Sequence, residues 1–223
     1  MKCRKLALGT LVAVLGVLMA SPAGAVSLWA ADWQMNETSG QEMTDSSGKN
    51  NNGTPTEDVF QTGSLYVFNG STSYVAVPDA DSLDPLEKDI MLTASVLIKG
   101  ESMDDDSYDV VRKGLSATLG GDYKMEIYGK SDPKVGNLHC VFNGTGGSMR
   151  ISAPPDIVDG NWHTLECIKT STSVVARVDG TSYTKTGSAG SIVNSSDVLV
   201  GAKTANHDVF DGAMDFVSIV IAQ

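Results

Sequence analysis

Positive charge is scarce in this chain: 16 Lys and Arg stand against 27 Asp and Glu, a formal net charge of −11 at pH 7. The imbalance argues against nucleic acid as a partner, since phosphate binding draws its affinity from clustered cations that release counterions. Aromatic residues are few as well, at 6%, so flat stacking surfaces are limited to a handful of positions. Long apolar runs are missing. The longest, Leu6 to Ala20, is about 15 residues, short of the roughly 20 that a membrane-spanning helix requires, so no membrane insertion is expected. Cysteine is rare, three in all, and no CxxC spacing marks a zinc site. No stretch of a dozen residues carries a helical apolar stripe, so helix content is expected to be low.

What is present begins with MKCRK, LALGTLVAVLGVLMA and SPAGA, a basic start, an apolar run and a small-residue cleavage site in the order of a secretory signal peptide. Residues 1–25 are assigned to that leader and 26–223 to a single domain, of a length that suits one β-sandwich. Cleavage after Ala25 would remove Lys2, Arg4 and Lys5 and deepen the charge from −11 to −14. It would also remove Cys3, leaving Cys140 and Cys167 in an oxidising, extracellular setting where a disulfide is the expected state.

The apolar stretches of the remaining chain are short, rich in Val, Ile, Tyr and Phe, and bounded by Gly, Asn, Asp or Ser, which is β punctuation. In YKMEIYG, Tyr123, Met125 and Ile127 alternate with Lys124, Glu126 and Tyr128, giving a strand with one apolar and one polar face. Leu138, Cys140 and Phe142 share a side in NLHCVF. Further strands are expected at 64–68, 73–77, 91–99, 163–170, 173–178, 197–201 and 214–222. Many short strands with turns between them predict an all-β fold, an antiparallel β-sandwich or jelly roll. In IVDGNWHTLECIKTSTSVVARVDGT, Asp159-Gly160-Asn161 reads as a turn, Trp162 as a side chain to be buried and His163 as its outward neighbour. Asp179-Gly180 reads as a hairpin corner.

The order of these motifs resembles the laminin-G-like group of the concanavalin A-like lectin and glucanase superfamily. ADWQMNETSGQEMTDSSGKNNNGT is similar to that family's opening strand and Asp-Ser-Ser-Gly loop, and LYVFNGSTSYVAVPDADSLDP to its next hairpin. MLTASVLIKG, DGNWHTLECIKT and VARVDGT follow in the family's order, with VLVGAK and FDGAMDFVSIVIA as the closing pair. The resemblance implies a concanavalin A-like sandwich with carbohydrate or cell-surface recognition as its task. It also implies a structural calcium near the chain ends, held by Asp32 and Asp215 with carbonyls near Asn69 and Gly70.

Catalytic signals are weaker. The superfamily's Glu-x-Asp-x-x-Glu hydrolase pattern is absent, Glu126 and Glu166 each stand alone in their strands, and no nucleophile elbow or HExxH helix occurs, so no catalytic residue is assigned. The acidic loop ESMDDDSYD offers Asp105 and Asp106 as hydroxyl or cation ligands and Tyr108 as a sugar platform. The leading expectation is a secreted, non-catalytic module whose partners are polysaccharides, glycans or cell-surface proteins. A structural or protein-binding adhesion domain without a sugar site comes second, and a glycoside hydrolase or lyase third.

Overall fold

The computed structural model describes residues 27–98 and 107–222. The assigned leader, residues 1–25, and the acidic-loop candidates Asp105 and Asp106 lie outside the described residues. Along the chain run β1 (Ser27–Trp33), β2 (Thr54–Pro55), β3 (Phe60–Gln61), β4 (Tyr66–Asn69), β5 (Val75–Val77), β6 (Ile90–Ile98), β7 (Tyr108–Lys113) and β8 (Asp122–Ile127). They continue with β9 (Asn137–Gly144), β10 (Gly147–Asp156), β11 (Trp162–Lys169), β12 (Ser173–Val178), β13 (Thr181–Thr186), β14 (Val198–Val200) and β15 (Asp211–Ala222). An eight-stranded sheet is ordered β13-β12-β11-β6-β15-β4-β3, with β1 also paired to β15. A seven-stranded sheet is ordered β10-β9-β8-β7-β14-β5-β2.

The sheets stack because each presents one apolar face. Ile90, Leu92, Ala94, Val96 and Ile98 alternate inward along β6. Tyr123, Met125 and Ile127 on β8 and Leu138, Cys140 and Phe142 on β9 meet them from the other layer. Burying aliphatic side chains of this size contributes about 1.5–3 kcal/mol each relative to exposure. The Cys140–Cys167 disulfide crosses the core from β9 to β11, with Cα atoms 5.4 Å apart. Trp33 is fully buried, and its indole N–H donates to the Asn51 carbonyl at 2.7 Å.

The Asp-Ser-Ser-Gly loop is organised by one carboxylate. Asp45 accepts from the backbone N–H groups of Asp32, Ser47 and Asn51 at 2.9 Å each, and from the Ser47 hydroxyl. Asn51 then donates to the Ala30 carbonyl and to Ser82 Oγ, tying the loop to β1.

Three expectations change. Tyr108 is 5% exposed and packs edge-on to Phe210, ring centroids 6.0 Å apart, so its ring lies in the core instead of serving as a sugar platform. Trp162 is 43% exposed, because the inward phase of β11 is set by Leu165 and Cys167, which places Trp162 on the outer face and His163 on the inner parity. Six strands, β1, β2, β3, β7, β10 and β13, occur where no alternation marked them.

Candidate functional site

The outer face of the seven-stranded sheet is polar. Register builds it in rows: Arg150 lies beside Val141, Val141 beside Lys124, Lys124 beside Arg112, and Arg112 beside Leu199. One flanking row runs Ser152, His139, Glu126 and Asp109, and the other runs Ser148, Asn143 and Asp122. A row rich in cations is therefore bracketed by rows that contain carboxylates. Over it lies a cleft of about 540 Å³, walled by Leu115, Ser116 and Ala117 on one side and by Tyr128, Asp132 and Arg150 elsewhere.

Asp109, buried and outside the cleft's lining, comes to lie beside Glu126 and Asp208 through a distortion. By simple alternation with Val111 and Lys113 it would face the core, but the β7–β8 register shifts between Asp109 and Val111. Such a bulge inserts one residue and re-aims the next side chain. Arg112 Nη1 donates to Asp109 Oδ2 at 2.6 Å and Arg112 Nε to the Gly114 carbonyl at 3.0 Å. Glu126 accepts from Lys124 on one oxygen and meets His139 Nδ1 at 2.6 Å on the other. The Tyr128 ring stacks on His139, centroids 4.3 Å apart.

The two neighbouring carboxylates differ in acidity. Burial raises the Asp109 pKa to about 7 against the pull of Arg112, with the Glu126 charge adding to the rise. For Glu126 burial also acts upward, but His139 and Lys124 outweigh it and hold the group at about 2. Ligand oxygens of Asp109, Glu126 and Asp208 lie within 4.8 Å of one another. Their charge is met by Arg112, Lys124 and Lys203, the last 3.1 Å from Asp208.

The expected calcium ligands do not gather. Asp32 lies opposite Ser218 and Asn69 opposite Asp211, so these register positions span seven residues of β15, about 23 Å at the usual strand rise. Asp215 is exposed and sits where the β15–β6 register breaks between Met214 and Phe216. Asn69 Oδ1 is engaged by its own turn, accepting from the N–H groups of Ser71, Thr72 and Ser73. Gly70, at φ +70°, lies against the Asp211 side chain. Asp32, Asn69, Gly70 and Asp215 are therefore not one cation site.

Sequence reasoning passed over His139, because its partner Glu126 and its stacking neighbour Tyr128 lie on another stretch of chain. The outward parity of β8 and β9 was the available signal. His163 is a clasp between corners, with Nδ1 2.7 Å from Asp179 and Nε2 3.0 Å from Asp159. Although desolvation works against its charge, Asp179 and Asp159 raise its pKa above 6.5. A raised folded-state value means stabilisation that is fully present below the unfolded pKa and lost as pH rises through the folded one. Thermal melts of wild type and His163→Gln should therefore differ most below about pH 6.5 and converge in alkaline solution. A gap that is constant across pH would refute the clasp.

Comparison with known proteins places this architecture. A laminin-G family model described as the concanavalin A-like lectin/glucanases superfamily matches residues 69–220. No curated protein matches the sequence. Among solved structures, the binding domain of Paraclostridial Mosquitocidal Protein 1 is similar at 15% identity and TM-score 0.67, covering 87% of this chain and 49% of that one. The binding domain of Botulinum Neurotoxin DC in complex with SialylT is similar at 11% identity and TM-score 0.62, covering 87% and 47%. Domains LG4-5 of the mouse laminin alpha1 chain are similar at 17% identity and TM-score 0.54, covering 71% and 42%. The chain thus spans about half the length of the structures it matches, and at such identities they speak to fold. With the family match covering more than half of the residues and the two-sheet sandwich in agreement, the chain belongs to the concanavalin A-like lectin/glucanases superfamily as a laminin-G-like domain.

Proposed function

We propose that this chain is a secreted, non-catalytic module that binds glycans displayed on a cell surface, using the cleft over the seven-stranded sheet. The observation that carries the reading is the state of the cleft floor. Glu126 is held by Lys124 and His139, while one buried acceptor that lines the cleft, Asn143 Oδ1, has no hydrogen-bond partner among the described residues. An unsatisfied buried polar atom costs about 1–3 kcal/mol, and a hydroxyl-rich ligand at the floor offers donors to meet it. The volume falls in the range of ligand pockets. That a binding domain of the same fold is solved with SialylT, and that cell entry of another neurotoxin is described as dependent on two ganglioside molecules, supports the same reading.

Catalysis is a poorer fit to the geometry. Asp109 is shut off from solvent, and both Glu126 oxygens are engaged by Lys124 and His139, so neither carboxylate is placed to hand a proton to a glycosidic oxygen.

A glycan array with the exported chain tests the proposal. Binding to a defined group of glycans is expected, weakened about tenfold, roughly 1.4 kcal/mol, by Arg150→Ala or Tyr128→Ala. Among the described residues Arg150 has no ion pair and donates through Nε to Ser148, so its remaining N–H groups are open to ligand. A blank array would favour an adhesion domain without a sugar site, and released sugar products would favour an enzyme. Since the four expected calcium ligands do not gather, repeating the array with chelator should leave binding unchanged, and a loss of binding would point to a cation held elsewhere.

A further inference from the structure

Trp29 is 47% exposed although its parity in β1 matches that of the buried Ala31 and Trp33. The reason is local. The β1–β15 register runs Trp29 opposite Val220 and Ala31 opposite Ile219, with the break falling between Trp29 and Ala31. Ala30 and Ala31 are both buried, and the indole is turned out of the sandwich, as a bulge does to the side chain beside it. The distortion is pinned, because Asn51 donates to the Ala30 carbonyl at 2.7 Å. The sequence thus places its bulkiest apolar side chain at an inward position and the backbone returns it to solvent, forgoing a few kcal/mol of burial.

Beside the indole is a hollow of about 180 Å³ lined by Lys49, Asp81, Ser82, Asp84 and Lys88, with Ile221 and Ala222 behind. Asp84 is engaged by Lys113. Among the described residues, Lys49, Asp81 and Lys88 have no side-chain hydrogen bond or ion pair, so their charged ends are available. Ser82 Oγ accepts from Asn51 Nδ2 at 2.8 Å, which orients its lone pairs and leaves its own proton to donate. An aromatic face flanked by open donors and acceptors is what a pyranose ring requires: its C–H face rests on the indole while its hydroxyls meet the polar groups.

We infer that the Trp29 hollow is a second sugar-binding site, for a single pyranose ring, separate from the cleft. It shares no lining residue with the cleft and is a third of its volume, which suits one ring. Two sites on one module let a multivalent glycan surface be held more tightly than either site alone allows. The Asp45-centred loop is then a positioning element, since it both pins the bulge through Asn51 and carries Lys49 to the hollow.

The test uses Trp162→Phe as background, leaving Trp29 as the exposed indole, since Trp33 is buried. Cello-, xylo-, manno- and chito-oligosaccharides are titrated while acrylamide quenching of tryptophan emission is read. At least one of these sugars is expected to shield Trp29, and Trp29→Ala should weaken its binding about tenfold while Trp29→Phe retains most of it. The melting temperature of Trp29→Ala should match the parent, and Arg150→Ala should leave the shielding unchanged. Absence of shielding by every sugar, or equal binding by Trp29→Ala and the parent, overturns the inference. Loss of shielding in Arg150→Ala overturns the independence of the site. Shielding at Trp29 with no effect of either cleft substitution on any glycan would instead sink the cleft reading and leave this one standing.

Discussion

Replacing Lys113 with methionine is expected to lower the unfolding free energy by about 3–5 kcal/mol, the usual cost of removing one partner from a buried ion pair. The ammonium is fully shielded from solvent at the end of β7. It meets Asp79 Oδ1 at 2.7 Å and Asp84 Oδ1 at 3.0 Å, and donates to the Asn194 carbonyl. Methionine fills much the same length without charge, so packing survives while Asp84, 9% exposed, loses its counter-ion. The same loop is held by the Tyr123 hydroxyl, which donates to the Leu83 carbonyl at 3.0 Å. Burial, with Asp84 and Asp79 nearby, keeps that phenol protonated far above its ordinary range. Urea titration under non-reducing conditions is the measurement. Adding Asp84→Asn should restore part of the loss, because the orphaned charge and not the missing amine dominates it. A single-variant loss below about 1 kcal/mol would show that the pair contributes little.

The second large effect lies in the disulfide. Cys140 and Cys167 are separated by 27 residues and join strands of opposite sheets. On the chain-entropy account, opening a loop of this length costs about 3–4 kcal/mol by freeing the unfolded chain. For a domain of this size that corresponds to a fall in melting temperature on the order of 10 °C. The Cys140→Ala/Cys167→Ala variant should melt at that lower temperature and be insensitive to reductant, whereas the parent should drop toward it once reduced. Both thiol positions are fully buried, so reduction should be slow in native solution and accelerate near the transition. A parent that melts identically with and without reductant would contradict the assignment.

How far the molecule is legible in its sequence follows from where alternation survives. The residues of β6, β8, β9 and β12 alternate in type and name both the strand and its inner face, whereas β11 is named as a strand but Trp162 misleads as to its phase. β7 escapes because the bulge near Asp109 and the buried Asp109, Arg112 and Lys113 make a core strand look like a charged loop. β10 carries Pro154 and Pro155, tolerable only because it is an edge strand with a broken register there. β13 is polar apart from Tyr183, and its pairing with β12 is what makes it a strand. The cleft was half legible. Glu126 stood out as an acid in a clean strand, but its neighbours Asp109 and His139 come from other strands, and a bulge decides that Asp109 faces it. Trp29 was hidden by the same kind of event. Parity rules predict direction until one extra residue intervenes, and both candidate sites lie beside such an insertion.

The side-by-side placement of β1 and β15 has an architectural consequence. Ser27 is the register partner of Ala222, so the first and last described strands place the two ends of the described backbone side by side. Any neighbouring module, upstream or downstream, would hang from that corner like a pendant from one link, while the cleft belongs to the opposite layer. A circular permutant that splices these ends with a short glycine bridge and opens at an exposed surface turn should keep its layers intact.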